Sequence, residues 1–208
     1  MRVAEEVRAQ GGRALPLAAD VHEADQVNAM VQHTLEELGR IDILVNNAGG
    51  SFRKPAEEYT QRMWDRQVGL NMTGPFLCSQ AVFPSMKQQG GGAIVNIASG
   101  AATHGAWGVL AYGSAKAGLM QLTKLYAGEW GAHNIRVNCI AVGAVKTEGF
   151  LTGVQAADKD PDTIAGKNAL GRGGVPDEIA YPVLFLASDA SSYMTGETIE
   201  VNGGPVFR

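Results

Sequence analysis

The sequence predicts an α/β fold with a parallel sheet covered by helices on both faces. Three observations carry this: short apolar runs too brief for helices, amphipathic stretches of helical period between them, and a strict alternation of the two along the chain. Composition agrees. Of the 208 residues 45% are apolar and 18% charged, and 27 are Gly, so the chain is apolar and glycine-rich enough to rule out disorder.

The elements follow in order. Residues 2–10 read as the last turns of a helix ending at Gly11-Gly12, with no N-cap residue before it. Arg13 to Ala19 reads as a strand. Val27, Met30, Val31, Thr34, Leu35 and Leu38 share one face of a helix over 23–38 that stops before Gly39. Ile41 to Asn46 then reads as a buried strand. A long helical region runs from Tyr59 to Gln88 with Pro75 and Pro84 inside it. Further strands are predicted at 93–98, 135–142 and 197–201, and further helices at 111–130 and 176–187. With no repeat, linker or low-complexity segment, residues 1–208 read as a single domain.

Several function classes are excluded. A net charge of -4 without a Lys/Arg cluster argues against nucleic acid and anionic lipid. No apolar run approaches the ~18 residues of a membrane span. The first seven residues carry acids where a secretory signal needs an apolar stretch. Cys78 and Cys139 form no disulfide framework and no C-x-x-C, so a reducing, cytoplasmic setting is expected; both read as small apolar filler. His22, His33, His104 and His133 have no metal-ligand spacing, and no metal is expected.

The candidate chemistry centres on Tyr112 and Lys116. Residues i and i+4 share a helix face, so the ammonium can sit beside the phenol. Lowering a phenol pKa from ~10 to neutrality takes about 4 kcal/mol, within reach of a nearby cation in a desolvated site. Such a Tyr exchanges a proton with an alcohol or carbonyl oxygen. Taken alone, the pair also fits a plain surface helix. Ser99 ends the strand 93–98, where open parallel sheets bind ligands, and Asn46-Asn47-Ala48-Gly49-Gly50 ends the preceding strand. Asn71 falls inside a helix, where a solvated or capping role is the ordinary reading.

These residues together resemble the short-chain dehydrogenase/reductase family. The resemblance rests on Asn46-Asn47-Ala48-Gly49, Asn71, Ser99, Tyr112-x-x-x-Lys116, Asn138 to Thr147, and Tyr193-Met194-Thr195-Gly196 through Gly203-Gly204. They stand in the family's order over nearly the whole chain. The resemblance implies a Rossmann-type sheet, NAD or NADP as cofactor, and hydride transfer to or from a carbonyl or secondary alcohol. Tyr112 would be the general acid in reduction and the base in oxidation. Lys116 would lower its pKa and hold the nicotinamide ribose, Ser99 would bond the substrate oxygen, and Asn71 would position a water. Asp20, with Val21, would bind the adenine ring, an N-cap for the helix near Glu23 being the other reading of Asp20. Asn47, Ala48 and Gly49 would line the adenosine side, and Gly143, Val145 and Thr147 the nicotinamide end. The family also implies a small-molecule carbonyl or alcohol substrate, and a homodimer or homotetramer built through the 59–88 region and the Tyr112 helix.

Two departures stand out. Val142-Gly143 replaces the family's Pro-Gly, which is expected to loosen the nicotinamide loop modestly. The family's phosphate turn, Thr-Gly-x-x-x-Gly-x-Gly, has no counterpart; Gly166 to Gly174 sits late and reads as a flexible edge of the substrate mouth. The chain thus reads as N-terminally truncated relative to the family, lacking a strand-helix-strand unit. In the family's strand order, its absence either closes the sheet up or exposes apolar edges. Either the gene starts upstream of Met1, or the short form is real and binds dinucleotide poorly. The alternatives to an oxidoreductase of alcohols are a non-catalytic fragment acting through subunit pairing, and a reductase of 3-oxoacyl thioesters, for which Arg53 and Lys54 are candidate phosphate contacts. His104 and Trp107, between Ser99 and Tyr112, border the substrate or occupy an exposed loop. Trp64, Phe76 and Phe83 read as packing residues. Phe150 to Asp162 occupies the position of the family's substrate lid, with solvated charges at its end.

Overall fold

The computed structural model describes residues 2–156, 160, 161, 163 and 166–204. Four parallel strands, β1 (Ile43–Asn46), β2 (Gly92–Ser99), β3 (Ile135–Val142) and β4 (Thr198–Val201), lie side by side in chain order. The helices are α1 (Arg2–Ala9), α2 (Ala24–Leu38), α3 (Gln61–Val68), α4 (Gly74–Gln88), the short α5 (Ala101–His104), α6 (Leu110–Trp130), α7 (Glu148–Ala156) and α8 (Pro176–Ala187). A π-helical turn over Gly69–Thr73 joins α3 to α4. The predicted helices and all but one of the predicted strands are present, with ends shifted by one or two residues.

The two faces of the sheet are built unequally. On one, α2, α4 and α6 bury Val31, Val82, Met86, Tyr126, Ala127 and Trp130 against Ile94, Ile135 and Val137. Trp130 stacks on Tyr126 and Phe83 with ring centroids 3.9 and 4.6 Å apart. On the other face Leu186 of α8 covers Val95 and Ile140. The alternation of β2 puts Ile94 and Val95 into opposite cores, as a strand buried on both faces requires. α2 ends where Gly39 turns left-handed at φ 82° and its N–H caps the Leu35 carbonyl, the usual helix stop at a residue without Cβ strain.

Two expectations fail at the β1 edge. Arg13 to Ala19 forms no strand: no ladder bond ties its backbone to a neighbour, and a strand exists only where a partner accepts its hydrogen bonds. β1 is not buried either. Leu44 packs into the larger core, but Ile43 and Val45 face the other way and remain 48% and 39% exposed, because α8 lies over β2 and β3. The first strand of the sheet thus presents apolar side chains to solvent.

Three further expectations are corrected. Only Phe83 of the three aromatics packs inward; Trp64 and Phe76 are 39% and 41% exposed. The Gly166 to Gly174 segment is pinned on both sides. Ala169 and Leu170 donate to the Gly204 and Gly203 carbonyls, Gly174 pairs with Val145, and Arg172 forms an ion pair with Glu178 at 2.6 Å. Val142-Gly143 is likewise held, since Val142 pairs with both Ser99 and Val201 and the Gly143 N–H donates to Val201. Sheet pairing supplies the rigidity that proline was expected to give.

Candidate active site

The carboxyl ends of β1 and β2 and the first turns of α6 converge on one edge of the sheet, where ligands bind in open parallel sheets. β2 delivers Ser99 at its last position, and α6 presents Tyr112 and Lys116 one turn apart. The π turn carries Asn71, which is fully buried. Its side chain clamps the backbone beyond β1: Nδ2 donates to the Gly50 and Gln67 carbonyls, both at 2.9 Å, and Oδ1 accepts the Gly50 N–H at 3.1 Å. The solvated or capping reading of Asn71 is therefore replaced by a loop-holding one.

Lys116 is only 3% exposed and donates to the Ile97 carbonyl at 2.7 Å. Burial pulls its pKa down to about 8. Its ammonium stands 5.8 Å from the centre of the Tyr112 ring. A Cβ on Gly49 would lie 2.9 Å from Asn71 Oδ1 and 3.2 Å from Lys116 Nζ, so only glycine lets this loop pass so close to both.

The expected lowering of the Tyr112 pKa is not present in this state. Burial pushes the phenol above its ordinary value, and the neighbouring Ser99 hydroxyl pulls the other way. Lys116 spends its hydrogen bond on Ile97, so the phenol feels desolvation more than the cation. Ser99 is itself oriented by the Ala101 N–H, 3.2 Å from its oxygen.

Beneath these groups lies a buried polar chain that sequence reasoning missed. Asn46 Nδ2 donates to Asn96 Oδ1 at 2.8 Å and to Ser79 at 3.2 Å, and Asn96 Nδ2 donates to Thr123 at 2.9 Å. It ties β1, β2, α4 and α6 together directly below the site. The one available signal was an Asn inside the apolar run 93–98, since a buried polar group is costly unless bonded.

Of the five residues expected on the adenosine side, Asp20, Val21 and Ala48 line a separate, open groove, and Asn47 and Gly49 do not. Ala18, Ala19, Asp20, Val21, Gln26, Ala48 and Leu70 surround about 490 Å³. Asp20 is not an N-cap: Glu23 occupies that position. Its Oδ1 accepts the His22 N–H at 3.2 Å and lies 3.1 Å from His22 Nδ1, while its own N–H donates to Gln26. Toward the other end, Thr147 caps α7, its hydroxyl oxygen accepting from Phe150 at 3.2 Å. Of the region 150–162, residues 157–159 and 162 lie outside the described residues. Lys54 is paired with Glu58 at 2.7 Å, and Arg53 donates to the Trp107 carbonyl at 2.7 Å. His104 is exposed, with Nδ1 2.7 Å from the Thr103 hydroxyl. Among the described residues no three metal-ligating side chains cluster, and no helix is long and apolar enough to cross a membrane.

The comparison with known proteins decides the family. A family model described as Enoyl-(Acyl carrier protein) reductase matches residues 1–205, and a 2-dehydro-3-deoxy-D-gluconate 5-dehydrogenase of Escherichia coli K12 is 41% identical over 205 residues, 98% of this chain and 81% of its own length. The chain belongs to the short-chain dehydrogenases/reductases. A 3-oxoacyl-[acyl-carrier-protein] reductase of Thermotoga maritima is 38% identical over 196 residues, covering 94% of this chain and 78% of that protein. The structure of an NAD+-bound xylitol dehydrogenase superposes with a TM-score of 0.90 at 31% identity, covering 98% of this chain and 84% of that one. This short-chain dehydrogenase/reductase is accordingly an oxidoreductase of CH-OH and C=O groups that uses NAD or NADP. The residues present fit such a cofactor: the open groove offers the Asp20 carboxylate and the Gln26 amide, and glycine at position 49 lets the loop pass against Lys116 where a Cβ would crowd it.

Proposed function

We propose that the Ser99, Tyr112, Lys116 and Asn71 cluster carries out proton transfer to and from the oxygen of a small carbonyl or secondary alcohol. The observation that supports it most is the meeting of these four side chains from three separate elements at one sheet edge. Bound NAD(P) supplies the hydride acceptor or donor. In reduction the Tyr112 O–H donates its proton to the substrate oxygen, and in oxidation the phenolate takes it back. Ser99 donates a hydrogen bond to the same oxygen. Lys116, charged below about pH 8, stabilises the phenolate and, on turning from the Ile97 carbonyl, holds the nicotinamide ribose. Asn71 fixes the Gly49–Gly50 backbone against which both groups sit and holds a water between Lys116 and solvent. Asp20, Val21, Asn47, Ala48 and Gly49 receive the adenosine side; Gly143, Val145 and Thr147 receive the nicotinamide end.

Exposed apolar side chains on α3, α4 and α6, namely Trp64, Phe76, Leu110 and Leu125, support pairing of subunits through these helices as a dimer or tetramer. The two free, buried cysteines suit a cytoplasmic setting. A non-catalytic chain acting through subunit pairing is the rival reading, favoured by the same exposed apolar side chains on α3, α4 and α6. Titration with NADH and NADPH, followed by a screen of ketones, sugars, polyols and 3-oxoacyl thioesters, separates the two. Saturable binding in the micromolar range with turnover of any of these removes the rival. Absence of both removes the enzymatic reading.

A further inference from the structure

The loop that leaves β1 continues past Gly50 to Arg53 and crosses to the segment linking Ser99 to Tyr112. The Lys54 N–H donates to the Gly108 carbonyl at 2.8 Å, the Tyr59 hydroxyl donates to the same carbonyl at 3.3 Å, and Arg53 Nη1 donates to the Trp107 carbonyl at 2.7 Å. Phe52 stacks on Tyr59 behind this strap. The two loops are thereby fastened into one rim, with the Trp107 side chain 73% exposed on it.

The two cations of the rim are not equivalent. Lys54 already has a carboxylate, Glu58 at 2.7 Å. Arg53 has none within ion-pair distance among the described residues, and the Trp107 carbonyl occupies one of its five N–H donors. A guanidinium held in place through one nitrogen, with its remaining donors uncommitted, is pre-organised for a planar carboxylate, because the immobilisation that binding would otherwise require is already made.

We infer that Arg53 is a specificity-determining residue that receives the carboxylate of an anionic hydroxy- or keto-acid substrate, the carbon chain lying across Trp107 toward Ser99 and Tyr112. This rests on the hydride-transfer reading of the site but concerns only how the substrate is held. It also separates this rim from one built for a thioester phosphate, since Lys54, the second cation of such a contact, is occupied.

The test is a titration of the full chain with D-gluconate and with D-sorbitol, a neutral polyol of the same chain length, followed through the Trp107 indole N–H resonance assigned with Trp107→Phe. Gluconate is expected to bind about tenfold more tightly, equivalent to about 1.4 kcal/mol. Arg53→Gln should shrink that preference below twofold, while Lys54→Gln keeps it. Equal affinities for the two ligands, or a preference that survives Arg53→Gln, overturn the inference. Turnover distinguishes its failure from failure of the reading beneath it. Equal kcat/KM for gluconate and sorbitol removes the carboxylate site and leaves hydride transfer standing. A binding preference with no dinucleotide binding and no turnover of any compound in the carbonyl and alcohol screen by NAD or NADP removes hydride transfer and leaves the carboxylate site.

Discussion

The two ends of the proposed dinucleotide path differ in how they are supported. Around Ser99, Tyr112 and Lys116 the strands are paired on both edges, helices cover both faces, and the polar groups below are bonded to one another. Around Asp20 and Val21 an extended, unpaired segment borders an open groove beside a strand whose Ile43 and Val45 reach solvent. The proposed catalytic end is thus held by the global fold, and the proposed adenosine end by local turns such as the Asp20–His22 bond. Rigidity is concentrated where reacting atoms must be placed to fractions of an ångström.

One isoleucine on each of the two strands tests this contrast most strongly. Ile94→Ala, in the core on β2, should lower unfolding free energy by roughly 2–5 kcal/mol, whereas Ile43→Ala on β1 should cost under about 1 kcal/mol; chemical denaturation of both variants compares them. Similar losses would show that the β1 edge is as well packed as the centre.

Lys116 offers a test through pH. Its pKa falls from an ordinary 10.5 to about 8 on folding. Below pH 8 both states carry the proton and the cost of the buried charge is fully present. Between about 8 and 10.5 only the unfolded state keeps it, so stability rises with pH. Relative to Lys116→Met, the wild type should gain up to about 3 kcal/mol over that window. A flat difference would mean that the ammonium is solvated.

Asn96→Ala should destabilise by about 1–3 kcal/mol, because Asn46 Nδ2 and Thr123 then lose a buried partner. The smallest effect belongs to the open end. Asp20→Asn should leave stability within about 0.5 kcal/mol while weakening dinucleotide binding several-fold, measured by calorimetry. Unchanged affinity would remove Asp20 from the adenosine site.

Much of this was legible in the residues. The β3 and α8 boundaries follow from apolar runs bounded by turn residues and from Pro176-Asp177-Glu178, where Glu178 caps the helix through the Val175 N–H. Ser99, Tyr112 and Lys116 could be placed because a strand end and an i, i+4 pair fix positions whatever the packing. What failed depended on partners. Arg13 to Ala19 has strand composition but no neighbour to pair with. Gly166 to Gly174 looked flexible because its tethers, Val145, Gly203 and Gly204, lie far away in sequence. The direction of the Tyr112 pKa was misjudged for the same reason: the bond from Lys116 to Ile97 can be seen only once β2 and α6 are side by side.

The most direct test is the turnover of Tyr112→Phe. NAD(P)-linked oxidation or reduction of a substrate found in the carbonyl and alcohol screen is measured alongside dinucleotide affinity and unfolding free energy. Loss of the phenol proton should lower kcat by at least about a hundredfold while affinity and stability stay close to wild type. A variant that keeps a tenth or more of wild-type kcat would contradict the assignment of proton transfer to Tyr112.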